Sequence, residues 1–231
     1  MGPNAGKEIV MAAHQHGVGA NADQEVSAAD LRRQKIVARS ALLIDEIGYS
    51  RTSMDEIARS VKMAKPTIYH YFRSKEEILF SIHEEFVDHL LKLQAEHTVS
   101  GMTAEEQLQE TMVDLVTAIS THRGHSRVFF EHYRELSGPK RALIAEKRAK
   151  FRHRIVALIE SCQAVGTFRD TDPNLAALGL IGMCNWSYQW HSPEGSKSPR
   201  EVAEEFWNLL HGGLQAKSPT PANLRGSTSS S

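Results

Sequence analysis

The sequence predicts an all-α fold, with a short N-terminal helical domain followed by a longer C-terminal one. Three observations carry that expectation. Apolar residues recur at helical spacing along most of the chain between Ser27 and Leu214. Capping-box signals precede those runs, with Ser27 ahead of Asp30, Ser53 ahead of Glu56, Ser74 ahead of Glu77 and Thr103 ahead of Glu106. Pro66, Pro173 and Pro199 stand where a first helical turn tolerates proline, and Gly48 and Gly166 stand where helices stop.

Taken in order, residues 1–26 are rich in Gly, Ala, Asn, Gln and His without periodicity and read as a disordered arm. Two histidines there, His14 and His16, make no metal site without further ligands. A first helix runs from Ser27 to about Ile47 on Leu31, Val37, Ala41, Ile44 and Ile47. A second is short, with Met54, Ile57, Ala58 and Val61 on its apolar face. Val61 to Ala64 reads as a turn, and a third short helix opens at Lys65-Pro66. In that helix Ile68 and Phe72 pack inward, which leaves Lys65, Thr67, Tyr69, His70 and Tyr71 on other faces. Such a surface is poor core material, and it suits a DNA major groove and its flanking phosphates. Charge agrees. Residues 27–80 hold ten basic and seven acidic residues, a local +3 in a chain of net −1.

The longer C-terminal part continues the pattern. A long helix starts at Ser74 and runs through Ile78, Phe86, Leu90 and Leu93, bridging the two halves as their only direct link. Another follows Thr103. The run from His122 to His125 reads as a corner, with the next helix spanning Arg127 to Leu136. A basic helix reaches about Val165, with Leu143, Ile144, Phe151, Ile155, Leu158 and Ile159 on its apolar face. The segment from Asn174 to Ser192 is apolar nearly all round, so it is either buried or shared between subunits. Gly179 and Gly182 within it suit close approach of another helix. The last helix opens at Ser198-Pro199 and puts Val202, Phe206, Leu209 and Leu210 on one face. Two such C-terminal helices are what a four-helix homodimer interface needs. Residues 216–231 are polar and Ser-rich and read as a disordered tail. The expected division is therefore 1–26, 27–80, 81–215 and 216–231.

Other classes are disfavoured. Charged residues at 24% and hydrophobic ones at 41% are ordinary for a soluble globular protein. No apolar run reaches the roughly 18 residues of a membrane span, and no signal peptide is legible, so a cytoplasmic, reduced protein is expected. Cys162 and Cys184 are too few and too far apart for a disulfide framework or a zinc site. The sequence has no G-x-S-x-G, no P-loop, no H-E-x-x-H and no Gly-rich dinucleotide turn, so no enzyme and no cofactor is expected. A helical dimerisation module without DNA binding would leave Lys65, Thr67, Tyr69 and His70 without a reason.

The run from Ser53-x-x-Glu56-Ile57-Ala58 through Lys65-Pro66-Thr67-Ile68-Tyr69-His70-Tyr71-Phe72 to Ser74-Lys75-Glu76-Glu77-Ile78-Leu79 resembles the helix-turn-helix of the TetR family of repressors. The likeness covers roughly residues 30–80 across three consecutive elements. Ile44 departs from it, standing where the family usually has Phe. The resemblance implies a homodimer on a near-palindromic double-stranded operator. It points to Lys65, Pro66 and Thr67 at base edges, and to Ser53, Tyr69, His70, Tyr71 and Lys75 mostly at phosphates.

The C-terminal half is similar, more loosely, to regulatory domains of TetR-type repressors of fatty-acid and steroid degradation. The matching stretches are Phe129 to Leu136, Gly166-x-Phe168-Arg169 and Gly182-Met183-x-Asn185-Trp186-x-Tyr188-x-Trp190. Several such repressors answer to acyl-CoA thioesters. The resemblance thus implies a small hydrophobic effector, an acyl-CoA thioester or a free hydrophobic or drug-like compound. Its expected lining is Phe129, Phe130, Tyr133, Phe151, Met183, Trp186 and Trp190. Relatives often carry arginine where this chain has Gln189 and Ser192, which leaves Arg134, Arg148, Arg152 and Arg154 as the available cations.

Overall fold

The computed structural model describes residues 27–192 and 194–215; the N-terminal arm and C-terminal tail expected above lie outside them. Nine α-helices are found among the described residues: α1 Ala28–Ile47, α2 Met54–Ser60, α3 Lys65–Tyr71, α4 Lys75–Val99, α5 Ala104–Thr121, α6 Arg123–Glu131, α7 Gly138–Ala164, α8 Pro173–Trp190 and α9 Pro199–Leu214. A single 3-10 turn, Tyr133–Glu135, joins α6 to α7.

The start signals work largely as their spacing implies. Ser53 and Thr103 form full capping boxes with Glu56 and Glu106, and Ser198 does the same with Glu201. At Ser74 only half the box forms. Its hydroxyl accepts from the Glu77 N–H at 3.2 Å, while the Glu77 carboxylate accepts from the N–H of Arg73 at 2.7 Å. Gly166 ends α7 at a φ of 79°, a conformation with little steric cost only for glycine.

The first three helices close around Ile36, Val37, Ile44, Ile57, Ile68 and Phe72, all fully buried. Each such side chain contributes roughly 1.5–3 kcal/mol of burial. The same core continues along α4 through Ile78, Leu79 and Ile82 into the C-terminal bundle. There α5 is central, packed on α4, α7, α8 and α9. An antiparallel bridge between Phe168 and Gln215 ties the α7–α8 loop to the end of α9, with the Arg169 N–H donating to the Leu214 carbonyl at 2.8 Å.

Several expectations are corrected. The corner at His122–His125 is helical: α6 begins at Arg123 and ends at Glu131, before the expected Leu136. Gly124 is not a turn residue. A Cβ there would lie 3.0 Å from Leu42 Cδ2 and 3.1 Å from the Leu42 backbone nitrogen, so glycine lets α6 lie directly on α1. Consequently α4 is not the only link between the halves. Arg127 pairs with Asp45 of α1 at 3.1 Å, and Glu76 at the start of α4 accepts from the Ser137 N–H at 2.8 Å and meets Lys140 at 3.4 Å. In α9, Leu209 is 71% exposed and does not share the buried face of Val202. Among the described residues none lies within 4 Å of a Cβ built at Gly179 or Gly182 of α8, so no helix of the same copy makes the close approach.

Candidate nucleic-acid interface and effector cavity

The turn between α2 and α3 is tight. Lys62 takes a left-handed φ of 57°, and the Met63 N–H donates to the Ala58 carbonyl at 3.0 Å. The turn seats α3 with Ile68 inward and Lys65, Pro66, Thr67, Tyr69 and His70 exposed. Tyr71 is half-buried and meets the His70 ring edge-on at 5.5 Å between centroids. Lys65 is paired with Asp55 of α2 at 2.9 Å, so it must leave that partner to reach a base. Ser53 is exposed, with its hydroxyl occupied as the α2 cap. Lys75 donates to the Tyr49 carbonyl at 2.7 Å and stands 4.1 Å above the Tyr49 ring. That internal partner accounts for a cation in the first turn of α4 and pins the end of α1 to it; Tyr49 is a positioning residue that the spacing did not single out.

An apolar cavity of about 470 Å³ opens between α4, α6, α7 and α8. Phe86 and Leu90 of α4, Leu115 of α5, Phe129 of α6 and Phe151 of α7 form much of its wall. Tyr133, Leu178, Ile181 and Asn185 complete it, together with Arg148 and Arg152. Its size falls in the range of small-molecule sites, about 300–1,000 Å³.

Of the expected lining, Phe129, Tyr133 and Phe151 are on the wall, and Phe130, Met183, Trp186 and Trp190 are not. Phe130 turns away to stack on Tyr188, ring centroids 4.8 Å apart. Met183 is half-buried outside the cavity, Trp186 is 63% exposed, and Trp190 packs edge-on against Phe206 of α9. The reason lies in the packing of α8. It buries Ala177, Leu180, Cys184 and Ser187 and presents Leu178, Ile181 and Asn185 to the cavity. A stripe of Leu175, Gly179, Gly182 and Trp186 remains facing outward. The residues missed on α4 and α5 had been legible only as core positions.

Arg148 lies over the rings of Phe129 and Tyr133, 4.7 and 4.9 Å from their centroids. Against the same two rings lies His83, fully buried, with no hydrogen-bond partner for either ring nitrogen among the described residues. Burial, reinforced by the positive Arg148 and by His132, lowers its pKa to about 3. Cys184 is buried and free, and burial raises its thiol to about 12, so it serves as a small hydrophobe.

Known proteins place this arrangement. The pattern of bacterial regulatory proteins of the tetR family matches residues 36–82, and that of the tetracyclin repressor-like C-terminal domain matches residues 101–214. A solved TetR/AcrR-family transcriptional regulator from Thermobifida fusca is 30% identical, spans 80% of this chain and 99% of its own, and superposes with a TM-score of 0.64. The chain belongs to the TetR family.

It is therefore a DNA-binding transcriptional regulator, with α2 and α3 as its helix-turn-helix. The HTH-type transcriptional repressor KstR2 of Rhodococcus jostii is 25% identical over 185 residues, 79% of this chain and 91% of that protein. AibR, solved with isovaleryl coenzyme A and operator DNA, is 27% identical over 78% of this chain and 98% of its own, with a TM-score of 0.70. No described helix of this TetR-family member is long and apolar enough to cross a membrane.

Proposed function

We propose that the protein is a cytoplasmic, homodimeric repressor of lipid-catabolic genes, released from a near-palindromic operator by a hydrophobic acyl effector. A fatty-acyl or steroid-acyl CoA thioester is the favoured form. The observation that carries the reading is the cavity between α4, α6, α7 and α8, mainly apolar and edged by arginine, whose wall residue Phe129 sits on the helix that packs against α1. The likeness to the repressor KstR2, and to AibR bound to isovaleryl coenzyme A, supports it. On the DNA side, Thr67 and Pro66, with Lys65, face base edges, while Ser53, Tyr69, His70, Tyr71 and Lys75 hold phosphates. Dimerisation uses the outward stripe of α8 together with Leu209 of α9, an apolar surface that no described residue covers.

A ligand shifts a two-state equilibrium only by its differential affinity for the two states. An effector filling the cavity presses on Phe129 and Tyr133, and those are carried by the segment that continues into the α1 contact. The test is release of labelled operator DNA by an acyl-CoA, its free acid and CoA alone. Release by the thioester alone supports the favoured form. Release by the free acid as readily as by the thioester replaces it with a free hydrophobic effector. Release by neither, with an unrelated hydrophobe active instead, overturns the lipid reading.

A further inference from the structure

Three cations of α7 have partners within the chain. Lys147 meets Glu84 at 2.8 Å and Asp88 at 2.7 Å, Lys140 meets Glu76, and Arg154 donates to the Leu91 carbonyl at 2.8 Å. The two arginines on the cavity wall differ. Arg152 has a buried Nε–H with no hydrogen-bond partner among the described residues. Arg148 lies over the faces of Phe129 and Tyr133, which attract a cation, and its in-plane N–H donors meet no acceptor among the described residues. The two are four residues apart on one helix, so they present to the same space, across which Asn185 of α8 lies.

A guanidinium stays charged in any protein environment, and a buried charge is tolerated where something pairs with it. Two half-buried guanidinium groups on one apolar cavity wall, with no carboxylate paired to either among the described residues, therefore favour an anion. A neutral hydrophobe would fill the volume and leave both charges uncompensated.

We propose that Arg148 and Arg152 form an anion receptor inside the cavity. An oxyanion of the effector, carboxylate or phosphate, is held between the two guanidinium groups with the Asn185 amide beside it. The hydrocarbon part runs along Phe86, Leu90 and Leu115. This rests on the reading of the cavity as the effector site, and it excludes the neutral drug-like compound left open there. The two sources of the oxyanion, a free acid and the phosphates of coenzyme A, present the same chemistry to guanidinium and are separated by experiment.

The experiment is calorimetric titration of the full chain, free of DNA, with hexanoate, decanoate and palmitate, their CoA thioesters, CoA alone and the matching neutral alcohols. At the best chain length the wild-type protein should bind an anionic probe at least about tenfold more tightly than the alcohol. Arg148→Gln and Arg152→Gln should each weaken that probe by about ten- to a hundredfold and the alcohol by far less. Loss of carboxylate binding assigns the acid; loss confined to the thioester and CoA assigns the phosphates. Arg152→Gln should melt no lower than wild type without ligand, since it removes a half-buried charge whose Nε–H has no partner among the described residues. Arg148→Lys keeps the charge and carries the test should Arg148→Gln fold poorly. Equal affinity for alcohol and anion, or unchanged anion affinity in both variants, overturns the receptor while leaving a hydrophobic effector standing. Binding through both arginines without operator release upholds the receptor and overturns the proposed release. Binding of no probe overturns the receptor for fatty-acyl anions and, with it, the fatty-acyl form of the proposed function.

Discussion

At the scale of single residues, environment decides what each polar group can do. Thr67 is exposed and free for a base edge, whereas Lys75 is already held by the Tyr49 carbonyl and ring. Thr67→Ala should weaken operator binding by ~1–3 kcal/mol and relax selectivity at one base pair, read from a binding series over substituted operators. Lys75→Ala should weaken all sequences alike and lower the salt slope by about one unit; an unchanged slope would assign Lys75 to pinning α1 alone. His83 gives a pH signature. Its folded pKa of about 3 lies below the unfolded value near 6.5, so between these the unfolded chain binds the extra proton and stability falls as the pH drops. The loss should reach about 2 kcal/mol by pH 5. Glu85, raised to about 7 mainly by burial, works in the opposite direction over part of that range. The check is therefore the difference between wild type and His83→Gln in denaturant unfolding across pH, where the variant should show the flatter acid limb.

At the scale of elements, α6 is the piece that joins cavity to DNA-binding domain. One end lies on Leu42 of α1 through Gly124, and the other carries Phe129 to the cavity wall. Gly124→Val should destabilise the fold by roughly 1–3 kcal/mol, since the Leu42 backbone cannot recede like a side-chain tip. The milder Gly124→Ala should move the effector concentration for half-release of operator while the affinity of the DNA-free protein for effector stays the same. Equal shifts in both would show that α6 reports only on cavity shape. Arg127→Ala should matter little to stability, about 0–1 kcal/mol, because its pair with Asp45 is solvent-accessible.

At the scale of the whole molecule, the outward stripe of α8 is what a single copy leaves unsatisfied. Leu175 is 65% exposed, and Gly179 and Gly182 have no described residue within reach of a Cβ. In the proposed dimer a second copy packs there, and dimeric helix-turn-helix proteins place paired recognition helices on successive major grooves, ~34–36 Å apart. Gly182→Arg should give a monomer in sedimentation, and operator affinity should fall toward that of one half-site. A monomer that still binds the full operator tightly would place the dimer contact elsewhere.

What the sequence determined by itself is local. Helix starts follow from Ser or Thr facing Glu across one turn, and the recognition surface follows from polar residues surrounding Ile68 and Phe72 on a helix too short to hide them. Those are interactions within a few residues, written in spacing. What only the tertiary structure decided is which face meets what. Gly124 looked like a corner because glycine serves turns and close approaches equally, and only α1 lying on α6 separates the two uses. The segment holding Met183, Trp186 and Trp190 is apolar on every side, so periodicity could not say which stripe lines a cavity and which faces outward. The arginines of α7 carry one charge, yet Arg154 reaches a carbonyl while Arg148 and Arg152 are left facing an apolar space, because pairing depends on neighbours distant in the chain.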